Sequence, residues 1–169
     1  MHYLEKFDDY LTRIEEYTVA LLLFVMTFAI FMSVVERFLM QLGLTWVEEF
    51  ARYLSVWAAF IGSGLAAKKG AHIGIEAFVQ ILPIKLRRIE EIAVHIVGFL
   101  FSVAVFWIGI SFLFKLNEGG QLSPALGIPI TWAYAAVPVG FALMGIHYFI
   151  KIIVGLSDLL PNTDVSKVA

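Results

Sequence analysis

The sequence predicts an all-α integral membrane protein with four transmembrane helices, joined by amphipathic N-terminal and cytoplasmic helices at the membrane surface. Composition points there first: of 169 residues, 60% are hydrophobic and 15% aromatic, while 15% are charged, far from the balance of a soluble domain. Second, the apolar residues gather into four runs of about the 20 helical residues needed to cross a hydrocarbon core of roughly 30 Å. Third, the connecting segments are short, which leaves a single membrane domain over residues 1–160 and a C-terminal tail at 161–169. A formal charge of −2, with basic residues scattered or gathered in one loop, gives no reason to expect nucleic acid as a partner. Cysteine is absent, so disulfide and thiol chemistry are excluded.

The amino terminus is unlike a cleavable signal. Glu5, Asp8, Asp9, Glu15 and Glu16 outnumber Lys6 and Arg13, and the apolar run that follows is longer than a signal core. Leu4, Phe7, Leu11 and Ile14 share one helical face, which reads as a short helix on the membrane surface or as a solvated lead-in. The spans are then expected at 17–35, 46–67, 92–114 and 130–150, and of these only the second contains Asp, Glu, Lys or Arg. Within it, small residues recur about four apart at Ala58, Ala59, Gly62, Ser63, Ala66 and Ala67, a pattern that lets another helix approach closely. Gly98 with Ser102, and Ala136 with Gly140, offer weaker versions in spans three and four. Pro138 cannot donate to the helix ladder, which predicts a kink near 134–138.

Orientation follows from the basic residues. Lys6, Arg13, Lys68, Lys69, Lys85, Arg87, Arg88, Lys151 and Lys167 fall on one side of a four-span topology, against Arg37, Arg52 and Lys115 on the other. The positive-inside rule makes both termini cytoplasmic. In the cytoplasmic loop, Ile75, Phe78, Val79 and Leu82 form an apolar stripe at about 73–82, ended by Pro83. It predicts a helix on the cytoplasmic leaflet or one packed on the spans, with Lys68, Lys69, Lys85, Arg87 and Arg88 near the lipid headgroups.

Chemistry-bearing motifs are scarce: no phosphate loop, nucleophile elbow or paired zinc-ligand motif occurs. The topology puts His72, His95 and His147 at similar depth, where separate hydrogen bonds are commoner than a shared metal, so no metal is expected. The charges of "LTWVEEFARYLSVW", residues 44–57, count to the outer rim of span two and not to its middle. Arg52 lies angularly between Glu48 and Glu49, which predicts internal pairing and one spare carboxylate for Arg37, Lys115 or another protein. Trp46, Phe50, Tyr53 and Trp57 form a separate aromatic face.

Two stretches, "TWVEEFARYLSVWAAFIGSGLAAKKGAHIGIE" at 45–76 and "SPALGIPITWAYAAVPVGFALM" at 123–144, resemble the small membrane subunit of tripartite ATP-independent periplasmic (TRAP) transporters, the DctQ-like proteins. On that resemblance Trp46, Glu48, Glu49, Arg52 and Trp57 match the span-two signature, Gly70 and His72 the turn after it, and Pro124, Leu126, Gly127, Pro129 and Pro138 the outer loop and span four. The resemblance implies a non-catalytic scaffold subunit in the bacterial inner membrane, and the small-residue spacing puts Gly62 and Ser63 on a helix-packing face. Its partners would be a large elevator-type membrane subunit, which uses sodium, and a periplasmic binding protein that delivers an organic acid such as sialic acid or a C4-dicarboxylate. This chain would bind no cofactor itself. Two other readings fit the residues: a self-sufficient homodimeric ion-coupled transporter using Glu48 or Glu49, and a small membrane enzyme built on the histidines.

Overall fold

The computed structural model describes residues 2–39, 45–69 and 84–159, with side chains at 2, 3, 5, 84–91 and 157–159 excepted. Five helices account for nearly all of it: α1 (His2–Leu39), α2 (Thr45–Lys69), α3 (Ile84–Glu118), the single turn α4 (Thr131–Tyr134) and α5 (Ala136–Leu159). Four stretches are long and apolar enough to cross a membrane: Lys6–Leu39, Thr45–Lys69, Ile92–Glu118 and Thr131–Leu156.

The first helix departs from expectation. No separate surface helix precedes the first span; α1 runs unbroken for 38 residues, about 57 Å at 1.5 Å per residue, and so outruns the bilayer core. Residues 2–39 contain neither Gly nor Pro, so nothing interrupts the backbone ladder where the polar lead-in meets the apolar run. The burial of its first turns is also inverted. Phe7 and Ile14 are exposed, whereas Asp8, Thr12 and Glu15, spaced i, i+4 and i+7, face the protein. The predicted helix at 73–82, together with Gly70 and His72, lies outside the described residues. Helix α3 begins before the predicted third span, so Lys85, Arg87 and Arg88 belong to its first turns.

The long helices stand in a row, α1–α2–α5–α3. Helix α2 packs on α1 and on α5, and α3 packs on the other side of α5, while α1 meets α5 only slightly. Burial follows that order: 28% of the most apolar stretch is buried in the α2 and α5 spans, against 6% in those of α1 and α3. The flanking helices leave Leu21, Phe24, Phe28, Leu100, Phe101 and Trp107 exposed, an apolar surface suited to lipid or to another membrane protein.

Small residues bring the rows together. At the α2–α5 contact a Cβ on Gly140 would stand 2.5 Å from the Phe60 carbonyl oxygen, and one on Gly64 would stand 3.3 Å from Leu143 Cβ. Along α3–α5, Gly98 lies under the Tyr148 ring, Gly109 under Pro138, and Ser102 beside Gly145. The Ser102 hydroxyl is satisfied by donating to the Gly98 carbonyl at 2.7 Å. The pairs Gly98–Ser102 and Ala136–Gly140 are thus true packing positions, with Ala136 fully buried. Gly62 is not: a Cβ there would meet nothing within 4 Å. The expected break before Pro138 is present as the interruption at Ala135 that separates α4 from α5.

Candidate functional site

Polar groups concentrate at the two ends of the row, and each end ties helices distant in sequence. At the first end the segment 119–130 is folded by its own residues. Gly120 and Gly127 adopt φ of 58° and 65°, the left-handed region that side chains with a Cβ seldom enter. Gly127 N–H donates to the Ser123 carbonyl at 3.0 Å, and the Ser123 hydroxyl accepts from Leu126 N–H at 3.1 Å, which makes 123–127 one capped turn closed by a left-handed glycine. Ser123 N–H donates to the Ile128 carbonyl at 2.8 Å and Ile130 N–H to the Gln121 carbonyl at 3.1 Å, closing the segment on itself.

Glu49 reaches this turn from α2. Its Oε2 accepts from the N–H groups of Ala125 and Leu126 at 2.7 and 3.2 Å, the latter shared with the Ser123 hydroxyl. Its Oε1 accepts from the Tyr53 hydroxyl at 2.6 Å. Glu49 is 8% exposed, so the carboxylate has exchanged water for three protein donors. One residue earlier, Glu48 pairs with Arg37 of α1 on the exposed surface. Trp57 Nε1–H donates to the Trp132 carbonyl at 3.0 Å, tying α2 to α4. Trp46 is exposed.

The expected pairing of Arg52 with Glu48 and Glu49 is therefore corrected. Among the described residues the Arg52 guanidinium forms no ion pair; of the partners expected for a spare carboxylate, Arg37 is the one found, on Glu48, while Glu49 is taken by the 123–127 turn and Tyr53. The angular argument held only within α2; it could not weigh the backbone donors of a turn that lies 76 residues away in sequence. Arg52 stands between two open grooves. One of about 360 Å³ runs between α1 and α2 past Ile30, Ser33 and Arg37, and one of about 650 Å³ runs between α2 and the 124–137 segment past Phe60, Tyr134 and Val137. Pro124 lines the larger groove, and the Pro129 carbonyl accepts from Trp132 N–H at 3.2 Å at the start of α4.

The opposite end holds a cluster that sequence reasoning missed. His147 of α5 is 1% exposed, with Nδ1 2.6 Å from Asp8 Oδ1 and Nε2 3.0 Å from Glu15 Oε2. Lys68 of α2 bridges Asp8 and Asp9 at 2.9 and 2.8 Å, and Lys69 pairs with Glu16 at 2.7 Å. Lys151 Nζ donates to the Ala67 carbonyl at 2.9 Å, satisfying an acceptor in the last turn of α2. Lys68 and Lys69, expected near the lipid headgroups, hold α1 to α2 through these ion pairs. His95 meets Tyr148 edge-on at 5.9 Å. Among the described residues no three His, Asp or Glu side chains are placed to hold a metal. The signal available beforehand was the polar stripe Asp8, Thr12 and Glu15; its partner on α5 carried no local mark.

Of the remaining sites, Ser63 donates to the Phe60 carbonyl of its own helix at 2.7 Å. Glu48, Arg52, Ala59 and Ala66 lie along one exposed line of α2, with Gly62 and Ser63 at its margins.

Comparison with known proteins places these features in a family. Residues 12–158 match the family model for the DctQ component of tripartite ATP-independent periplasmic transporters. The chain is 30% identical to the ectoine TRAP transporter small permease protein TeaB of Halomonas elongata, over 94% of this chain and 83% of that protein. It is 26% identical to the C4-dicarboxylate TRAP transporter small permease protein DctQ of Rhodobacter capsulatus, over 91% and 82% of the two chains. Against the sialic acid TRAP transporter small permease protein SiaQ of Vibrio cholerae it is 27% identical, over 72% and 73%.

Proposed function

Since the chain belongs to the DctQ family of TRAP transporter small permease subunits, we propose that it is the stationary scaffold of a sodium-coupled importer and carries no solute itself. It is a transporter component and not an enzyme. The observation that carries the reading is the distribution of charge. Between Glu16 and Glu36 in α1, Arg52 and Lys68 in α2, and Ile92 and Lys115 in α3, the sequence has no Asp, Glu, Lys or Arg, and α5 has none before Lys151. A carrier moving an ion or charged solute through this chain would need such groups near the middle of the spans. Here they lie at the ends, where Asp8, Glu15, Glu48, Glu49 and Lys68 pair within the chain.

A large elevator-type membrane subunit would hold the solute and sodium sites, and a periplasmic binding protein would deliver the solute to it. No cofactor is assigned to this chain. The three relatives are named for ectoine, C4-dicarboxylates and sialic acid, chemically unlike solutes served by similar small subunits, which supports selection by the other components. The solute class proposed is a small organic acid or zwitterion. The family implies the bacterial inner membrane, and the positive-inside rule makes both termini cytoplasmic, so the Glu49 end would face the periplasm and the His147 end the cytoplasm.

The surface offered to the large subunit is the exposed line of α2. Among the described residues Ala59 and Ala66 are exposed and a Cβ on Gly62 would meet nothing within 4 Å, with Ser63 at the margin and Glu48 and Arg52 at the outer end. Co-expression with the large subunit tests the proposal: the wild-type chain should co-purify with it, and Gly62→Leu should lose the partner while the isolated chain keeps its melting temperature. Wild-type chain that never retains the large subunit, and that alone supports ion-coupled uptake in vesicles, would overturn the scaffold reading in favour of a self-sufficient transporter.

A further inference from the structure

We propose that His147 is a buried proton-binding site, held as an imidazolium between Asp8 and Glu15, and that this proton fastens the first turns of α1 to α5. Both ring nitrogens face carboxylate oxygens, Nδ1 at 2.6 Å from Asp8 and Nε2 at 3.0 Å from Glu15. A neutral imidazole has one N–H donor and one lone pair, so it can satisfy one of these contacts and would turn a lone pair toward the other carboxylate. With His147 1% and Glu15 2% exposed, water cannot take up the difference. The imidazolium donates Nδ1–H to Asp8 and Nε2–H to Glu15, and both contacts become charge-assisted.

The neighbours agree with one added proton. From α1 come Asp8 and Glu15, and from α2 comes Lys68, which lies 2.9 Å from the second oxygen of Asp8 and also pairs with Asp9. On α5 itself Lys151 is directed to the Ala67 carbonyl, and from α3 His95 rests against Tyr148. Two buried carboxylates are thus matched by Lys68 and the imidazolium. Loss of the proton would leave a negative charge uncompensated among buried groups, at a cost large enough to separate the helices. The donors lie on opposite edges of one ring and do not converge, so a proton fits where a metal ion does not. Helix α1 otherwise touches α5 only slightly, which makes this contact the main tie between the two.

The proton can be seen directly in the full-length chain in lipid nanodiscs with ¹⁵N-labelled histidine. The chain has four histidines, and the His147 signals are assigned as those lost in His147→Gln. At pH 7 both His147 nitrogens should be of the protonated type. Amide exchange at residues 8–16, corrected for its intrinsic pH dependence, should then accelerate on the order of tenfold or more as the proton leaves at higher pH. Glu15→Gln keeps the fold testable, because the glutamine amide can donate to Nε2 of a neutral ring whose Nδ1–H still serves Asp8. In that variant His147 should be neutral at pH 7 and the exchange step should vanish. A neutral His147 in the wild type at pH 7, or an exchange step that persists in Glu15→Gln, would overturn the assignment.

Discussion

Gly140→Ala adds one methyl group at the tightest contact between the central helices. The new Cβ would lie 2.5 Å from the carbonyl oxygen of Phe60 and 2.7 Å from its carbonyl carbon and Cβ, all on α2. Real Cβ atoms essentially never come within 3.0 Å of such neighbours, so α2 and α5 must separate by about 0.5 Å at the least. Backbone atoms cannot rotate aside as a side-chain tip can, and overpacking of this kind costs about 1–3 kcal/mol. At roughly 3 °C per kcal/mol for a chain of this size, the melting temperature should fall by about 3–9 °C. Tryptophan fluorescence in detergent reads the transition, since Trp57 and Trp132 are joined across the α2–α4 contact. Gly62→Ala is the internal control: the added Cβ meets open space, and the small gain in helix propensity should leave stability unchanged or slightly higher. Equal melting temperatures for the two variants would refute the close approach at Gly140.

Three further outcomes test the outer end and the break in the fourth span. Glu49→Ala should leave the Ala125 amide and the Tyr53 hydroxyl without their acceptor and Leu126 with the Ser123 hydroxyl alone, so residues 121–130 should become sensitive to protease and exchange their amides faster, while Glu49→Gln should retain much of the protection. Arg37→Gln removes an exposed ion pair and should cost at most about 1 kcal/mol in a thermal melt, and Arg52→Gln should cost no more, since no described acidic group depends on it. Pro138→Ala restores an N–H that can donate toward the Tyr134 carbonyl, so amide exchange around 134–139 should slow as α4 and α5 join; unchanged exchange would place the cause of the break elsewhere.

Legibility in the sequence followed the range of each interaction. The four spans are properties of local composition, and the interruption before Pro138 is a property of one residue's covalent structure, so both could be read without knowing the neighbours. Glu49 was identified as important but given the wrong partner, because Arg52 is near in sequence while the Ala125 and Leu126 amides are near only after folding. Periodicity showed that α1 has two unlike faces. It did not show which one is buried, and the usual preference for the apolar face failed because Lys68 and His147 await the polar one. In a membrane protein that inversion has a simple cause: lipid or a partner can cover Phe7 and Ile14, whereas Asp8 and Glu15 need charged partners inside the protein.

The row of helices links these details to the proposed scaffold role. A closed four-helix bundle hides its small residues in one core, but a row gives each central helix two packed sides and leaves a further face for a partner. Helix α2 uses Gly64 toward Gly140, Leu143 and Met144 and keeps Gly62, Ala59 and Ala66 open, so its small-residue run is divided between one contact made within the chain and one left available. Such a layer resists shear only if its helices are pinned at both ends. Glu49 supplies that pin at one end by holding the turn before α4, and the Asp8–His147–Glu15 and Lys68 contacts supply it at the other. On the proposed scaffold role, the middle of the spans lacks Asp, Glu, Lys and Arg because it packs against a neighbour and does not pass charge.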